Sequence, residues 1–196
     1  DIGFNILVID KRAPGKSEGN VEDGGAKNYI DIIRWAEMLH KDFNCNDITL
    51  HGICIGGSTC TFAMASKDLP EYVKRFVADG LFITFCETFK NHMKEQKRQV
   101  FPYCYTAMLY SRKYAKTDLI HDGPIYHIDK VTKPTLFLYS KIDLFSTPDQ
   151  AHALYNKCGS NKKKLVWFDK GGHSHILFNN KEKYRDEIST FINENA

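Results

Sequence analysis

The chain has 196 residues, of which 42% are hydrophobic and 26% are charged, and its formal net charge at pH 7 is +3. These values are typical of a single globular domain, and the charge is too small to predict a nucleic-acid partner. No run of about 18 apolar residues is present, so the sequence predicts no membrane-spanning helix and no membrane partner.

Strand patterns and helix patterns alternate along the chain, which predicts an α/β fold with a mostly parallel sheet and helices on both faces. Near-continuous apolar runs indicate the strands, and apolar residues at helical spacing indicate the helices. In chain order we expect a strand at 4–10, a helix at 24–43, a strand at 48–51, a helix at 58–67, strands at 73–79 and 135–140, a helix at 148–158, a strand at 165–169 and a helix at 180–194.

Residues 83–124 interrupt this alternation and form a predicted insertion between two halves of the core, 1–82 and 125–196. The stretch is too long for a loop and has no strand signal, so it is expected to form helices of its own. Its aromatic side chains either line an apolar pocket or pack the insertion onto the core. The aromatic residues of the insertion and of its first flanking position are Phe82, Phe85, Phe89, Phe101, Tyr103, Tyr105, Tyr110 and Tyr114.

The cysteines indicate a reducing compartment. None of the six forms a C-x-x-C pair, and none has a histidine at the spacing of a zinc site. This pattern favours a cytoplasmic protein with free thiols, and it predicts neither a metal ion nor another cofactor. The six residues are Cys45, Cys54, Cys60, Cys86, Cys104 and Cys158.

The sequence G-I-C-I-G-G at residues 52–57 lies between a predicted strand and a predicted helix. This is the layout of a nucleophile elbow, in which a strained turn projects a reactive side chain above the sheet. Gly52 and Gly56 are expected to leave room for the backbone, and the following helix would favour a thiolate at Cys54. The alternative is a structural cysteine packed beneath a loop, because free cysteines are often buried.

Asp143 and His173 follow Cys54 in the chain order of nucleophile, acid and histidine that hydrolases with an elbow share. Each is on a loop that follows a predicted strand. Either residue alone would be interpreted as a turn aspartate or a solvated histidine, but the three together predict a catalytic triad. His173 is preferred over His175 because it directly follows two glycines, which let the loop fold back over the strand ends.

The chain resembles the α/β-hydrolase superfamily over nearly all its length, and in particular its intracellular esterase and serine-aminopeptidase-like branch. Residues 4–19 are similar to the family's strand followed by D-x-R-x-x-G-x-S-x-G, residues 77–80 resemble its next strand after the elbow helix, and residues 171–174 resemble its histidine loop. The G-x-C-x-G-G elbow departs from the common serine version and is instead similar to that of dienelactone hydrolases.

The resemblance implies roles for four residues: Cys54 as nucleophile, His173 as base, Asp143 as the residue that orients it, and the Ile55 N–H as an oxyanion donor. It implies that the insertion is a cap over a site for a small-molecule ester, thioester or lactone. The alternative is an α/β-hydrolase-like domain that binds a ligand or a partner without catalysis.

The resemblance also implies a gap in the sheet. The family places an earlier strand between the strands predicted at 4–10 and 48–51, and the loop after that strand supplies a second oxyanion donor. In this sequence the N-terminal strands of the fold are expected to be missing. An unpaired strand edge can pair with another chain, so self-association through an exposed sheet edge is expected as well.

Overall fold

A computed structural model describes residues 3–13, 15–19, 21 and 23–196 of the chain. Its centre is a parallel sheet of four strands, arranged in the same order in space as in the sequence. The strands are β1 (Ile48–Ile53), β2 (Val73–Asp79), β3 (Thr135–Ser140) and β4 (Lys163–Phe168). Their carboxyl ends therefore meet at one edge of the sheet, where ligands bind in open α/β sheets.

Helices cover both faces of this sheet. The side chains of β3 show why its sequence is continuously apolar: Phe137 and Tyr139 belong to one core, and Leu136 and Leu138 belong to the other. The helices are α1 (Tyr29–Phe43), α2 (Ile55–Met64) and α5 (Pro148–Lys157) on the first face, α7 (Lys181–Glu194) on the second, α3 (Phe85–Glu95) and α4 (Tyr103–Ala115) in the insertion, and the short α6 (Ile176–Asn179) before α7.

Two helices begin several residues away from the predicted start, and α7 begins one residue later than predicted, at Lys181. Helix α1 begins at Tyr29 rather than at residue 24, because the carboxylate of Asp23 accepts the N–H groups of Gly25 and Lys27 and holds a turn there. Helix α2 begins at Ile55 rather than at residue 58, directly after the turn at Cys54. The short helix α6 was not predicted.

The prediction of a strand at residues 4–10 is wrong. None of these residues is in a strand, and Ile6 and Val8 are 79% and 86% exposed. A strand needs a neighbour for its backbone groups, and no strand of the described residues lies against the outer edge of β1. The segment is instead tied down beyond its end, where Arg12 Nε donates to the Asp31 carboxylate of α1 over 2.7 Å.

The insertion forms two helices, as expected, and has a small core of its own. Its α3 contacts the loop after β3, because Thr88 Oγ1 and Asn91 Nδ2 both donate to the carbonyl oxygen of Phe145, over 3.3 and 3.1 Å. Within the described residues, no helix combines the length and the apolar character that crossing a membrane requires. The insertion's buried core consists of Cys86, Met93, Cys104, Met108 and Leu119.

Candidate active site

Cys54 occupies a strained turn between β1 and α2. Its φ of 52° and ψ of −114° lie outside the regions that non-glycine residues prefer. Such a conformation costs on the order of 1–3 kcal/mol and persists only where the surroundings enforce it. Here Cys54 N–H donates to the carbonyl oxygen of Asp79 over 2.9 Å, which continues the pairing of β1 with β2 into the turn.

The glycines of the elbow explain how the backbone fits. A side chain at Gly52 would collide with the backbone of Gly56 and Gly57, and one at Gly57 would come within 3.1 Å of the Gly52 carbonyl oxygen. A Cβ at Gly56 would meet nothing within 4 Å. The expectation for Gly52 therefore holds, whereas the expectation that Gly56 leaves the space is wrong: the space comes from Gly52 and Gly57.

The Asp143 carboxylate is buried and fully oriented by hydrogen bonds. One oxygen, Oδ1, accepts the backbone N–H groups of Phe145 and Ser146 over 2.8 and 2.9 Å. The other, Oδ2, lies 2.9 Å from Nδ1 of His173. The loop is anchored to the end of β2, since Ser146 Oγ donates to the Gly80 carbonyl oxygen over 2.8 Å. Asp143 is therefore held in one position relative to the histidine.

His173 lies between this carboxylate and the elbow. Its imidazole also contacts the Phe145 ring edge-on, with ring centroids 5.1 Å apart. Burial lowers the pKa of His173, but hydrogen bonds to Asp143 and Cys54, with the negative charge of both groups, raise it by more, to about 10. The structure thus brings Cys54, His173 and Asp143 together at the carboxyl edge of the sheet, with a 2.9 Å hydrogen bond between His173 and Asp143.

His175 has a different environment. It is exposed, and its Nδ1 lies 2.7 Å from the backbone carbonyl oxygen of His173. The carboxylate of Asp143 pairs with His173 instead. This geometry supports the preference for His173 as the base.

The first N–H of α2 belongs to Ile55, which directly follows Cys54. The first intrahelical bond runs from the Ser58 N–H to the Cys54 carbonyl, so the N–H groups before it have no acceptor within the helix. Ile55 N–H can therefore donate to an oxyanion. No group of three or more His, Cys, Asp and Glu side chains that could hold a metal ion occurs in the described part of the chain.

Asp79 is a second buried carboxyl group at the site, and the sequence analysis gave it no role. Tyr184 of α7 donates its hydroxyl to Asp79 Oδ2 over 2.7 Å, and the same hydroxyl lies 2.9 Å from Nε2 of His51. Asp79 Oδ1 has no hydrogen-bond partner among the described residues. The signal that could have found it is an Asp-Gly pair at the end of the buried strand beside the elbow strand.

Burial raises the pKa of Asp79 to about 6, and the negative charge of Asp143 acts in the same direction, whereas the Tyr184 hydrogen bond and the His173 charge oppose the rise. Because this value is above the ordinary one of about 3.9, the native chain binds a proton that the unfolded chain releases. Asp79 therefore makes the native state less stable as the pH rises from about 4 to about 6.

We expect Asp79→Asn to remove this group's contribution to the pH dependence of the free energy of unfolding. A shift of about two pKa units corresponds to roughly 2–3 kcal/mol, so the variant should gain about that much stability relative to the wild type between pH 4 and pH 7. Urea unfolding at several pH values measures the difference, with Asp42→Asn on the exposed side of α1 as the control. Parallel stability curves for Asp79→Asn and wild type would contradict the assignment.

Comparison with known sequences gives distant relatives. No model of a known protein family matches the chain. It is 25% identical over 194 residues to YqkD, an uncharacterised protein of Bacillus subtilis, covering 98% of this chain and 63% of the relative. It is 28% identical over 197 residues to protein bem46 of Schizosaccharomyces pombe, covering 99% and 59%. The chain therefore spans about 60% of the length of these curated relatives.

Solved structures of esterases have the same fold. The esterase Pf2001 of Pyrococcus furiosus matches with a TM-score of 0.78 at 19% identity, covering 98% of this chain and 72% of the other. A lipase-esterase related protein from Clostridium acetobutylicum matches with a TM-score of 0.66 at 15% identity, covering 93% and 81%. At such identities the likeness establishes the fold and leaves the activity to be argued from the site.

Proposed function

Because this chain has the α/β-hydrolase fold, we propose that it hydrolyses ester, thioester or lactone bonds of a small molecule through Cys54, His173 and Asp143. One observation carries the proposal: His173 pairs over 2.9 Å with the buried Asp143 carboxylate, and Cys54 on the strained turn is near enough to raise the pKa of the same imidazole. A nucleophile, a base and a group that orients the base, brought together, is the arrangement that covalent acyl transfer requires.

In the acylation step the Cys54 sulfur forms a bond to the substrate carbonyl carbon, while His173 holds the proton of the thiol. The carbonyl oxygen becomes an oxyanion, to which Ile55 N–H donates a hydrogen bond. When the tetrahedral intermediate collapses, the bond to the leaving group breaks and His173 donates its proton to that group. Asp143 stabilises the imidazolium each time it forms, because two backbone N–H groups fix Oδ1 and Oδ2 faces Nδ1 of His173.

In the deacylation step His173 acts as a base towards water. Water transfers a proton to Nε2 as its oxygen attacks the thioester carbon, and the Cys54 sulfur then leaves and recovers the proton. The products are the free acid and the original enzyme. No cofactor enters either step, which agrees with the chemistry of the three side chains.

A second function has one observation in its favour. The described sheet contains no strand beyond β1, so only Ile55 N–H is identified as an oxyanion donor. Loss of one such donor costs about 2.7–4 kcal/mol, a factor of roughly 10²–10³ in rate. A domain of this fold that binds a ligand or a partner without turnover is therefore the alternative.

One experiment distinguishes a hydrolase from a binding domain. The hydrolysis of p-nitrophenyl acetate is measured while iodoacetamide slowly alkylates the protein at pH 7. Among the six cysteines only Cys45 and Cys54 are partly exposed, and the other four are buried. We expect the rate to fall in proportion to the alkylation of Cys54 and to be independent of Cys45, as mapped by peptide mass spectrometry. Absence of turnover would support the binding alternative, and turnover that survives full alkylation of Cys54 would contradict its role as nucleophile.

The free thiols also support our proposal of a cytoplasmic location. None of the six cysteines forms a disulfide, although the Sγ atoms of Cys86 and Cys104 lie only 3.9 Å apart inside the insertion. Such a pair remains reduced in a compartment that keeps thiols reduced.

A further inference from the structure

Helix α4 exposes an aromatic surface. Tyr103, Tyr110 and Tyr114 repeat at the spacing i, i+7 and i+11, which places them along one side of the helix. They are 61%, 64% and 53% exposed, and the nearby Phe101 and Leu109 are 71% and 58% exposed. We call the three tyrosines the tyrosine face.

Only a narrow stripe of α4 is buried. Cys104, Met108 and Ala115 point into the core of the insertion, and they lie on a different side of the helix from the three tyrosines. The tyrosine rings are packed on one another rather than on the core, since Tyr110 and Tyr114 have centroids 4.1 Å apart. The tyrosine face is therefore separate from the buried side of α4 that packs into the core of the insertion. Isolated exposed apolar residues are common, but a contiguous row of them marks a contact surface.

The charged residues in the stretch of chain that contains the tyrosine face are all basic. No carboxylate occurs between Glu95 and Asp118, whereas the same stretch contains five basic residues. One of them, Arg112, reaches the Asp118 carboxylate at 3.6 Å, and another, Lys113, places its ammonium 5.4 Å from the centroid of the Tyr114 ring. All five are exposed: Lys97, Arg98, Arg112, Lys113 and Lys116.

We propose that the tyrosine face, together with Lys97, Arg98 and Lys113, docks the chain on an anionic lipid surface. Tyrosine is the side chain that places an apolar ring and a hydroxyl at the boundary of lipid and water. Lysine and arginine beside it attract anionic headgroups, and their long stems let the charge remain in water while the helix lies in the surface. The combination within α4 and the segment before it, with no acidic residue among them, fits lipid better than it fits an acidic peptide, which needs no row of aromatic rings.

This proposal departs from the sequence expectation of no membrane partner. That expectation came from the absence of a long apolar run, which concerns helices that cross a bilayer. A helix that lies on the surface needs only one apolar side, and the exposure of that side is visible only when the fold is known. The proposal is also independent of the hydrolase proposal, because no residue of the tyrosine face is among Cys54, His173 and Asp143.

Co-sedimentation of the 196-residue chain with vesicles tests the docking. We expect binding to vesicles of phosphatidylcholine with about 30% phosphatidylserine, and at least tenfold weaker binding to phosphatidylcholine alone. The variant Tyr103→Ser/Tyr110→Ser/Tyr114→Ser and the variant Lys97→Gln/Arg98→Gln/Lys113→Gln should each weaken binding by at least tenfold. The matched control removes three exposed charges near the opposite edge of the sheet and should bind as the wild type does: Lys67→Gln/Lys74→Gln/Lys162→Gln.

The outcomes are distinguishable. Equal loss of binding in the control variant would mean that net charge alone is responsible, and it would overturn the assignment to α4. Failure of the wild type to sediment with either vesicle would overturn the proposal. Light scattering gives a second such outcome: if the wild type is a dimer and the tyrosine variant is a monomer, the tyrosine face contacts a second copy rather than lipid. Circular dichroism checks the fold of each variant, and the basic variant, which changes only exposed side chains, remains decisive if the tyrosine variant unfolds. Hydrolysis of p-nitrophenyl acetate in solution should be unchanged in both variants.

Discussion

Cys54→Ala is expected to lower kcat/KM for p-nitrophenyl acetate by about 10³-fold or more. The substitution removes the atom that forms the acyl intermediate, and loss of a triad nucleophile leaves only the contribution of binding and of the oxyanion donor. Steady-state kinetics measure the loss. The matched control is Cys45→Ala, which removes the other partly exposed thiol and should keep the wild-type rate.

The fold of the Cys54→Ala variant should remain intact, because Cys54 is partly exposed and is not part of the buried core. Urea unfolding should therefore place it close to the wild type. A variant that is folded and retains most of the activity would show that another residue attacks the substrate, and the elbow would then have to be interpreted as a structural turn.

His173→Ala is the second variant for which we expect a loss of about 10³-fold or more, mainly in kcat. It removes the base and leaves the buried Asp143 carboxylate without its partner on Oδ2. Alkylation of Cys54 by iodoacetamide at pH 7 should slow as well, because the base that takes the proton of the attacking thiol is lost. His175→Ala is the control and should keep most of the activity, since its ring is exposed and bonds only to a backbone carbonyl.

The two histidines can also be distinguished by titration. The pKa of His173 is raised to about 10, so its imidazole should remain protonated through neutral pH, and the Cys54→Ala variant should lower that pKa because the hydrogen bond and charge of Cys54 are gone. Imidazole resonances followed by NMR report both changes. Full activity in His173→Ala together with loss in His175→Ala would reverse the assignment.

The sequence was most informative where structure depends on local pattern. The strands at 73–79 and 135–140 have the predicted bounds, because both end at turns and every residue of them except Lys74 is buried. The proximity of Cys54, His173 and Asp143 followed from another simple rule: loops after parallel strands meet at one edge of a sheet. Neither result required knowledge of distant contacts.

What the sequence could not show depends on distant pairing. Residues 4–10 have the composition of a strand, but a strand exists only where a neighbour accepts its backbone, and composition does not reveal that neighbour. Asp79 was missed for a similar reason, since its hydrogen-bond partner, Tyr184, is 105 positions away in the chain. The role of Gly57 rather than Gly56 depends on how closely two backbones approach, which spacing alone does not give.

We propose that the outer edge of β1 pairs with a second copy of the chain, which would make protein concentration a variable in every measurement. Six residues of strand backbone on that side have no strand partner among the described residues, and the exposed Ile6 and Val8 add apolar surface elsewhere on the chain. Pairing of two such edges is bimolecular, so its extent grows with concentration, whereas hydrolysis at the site of one molecule does not. Kinetics at nanomolar enzyme and structural work at millimolar protein would then describe different species, and a specific activity that changes on dilution would be the first sign of it.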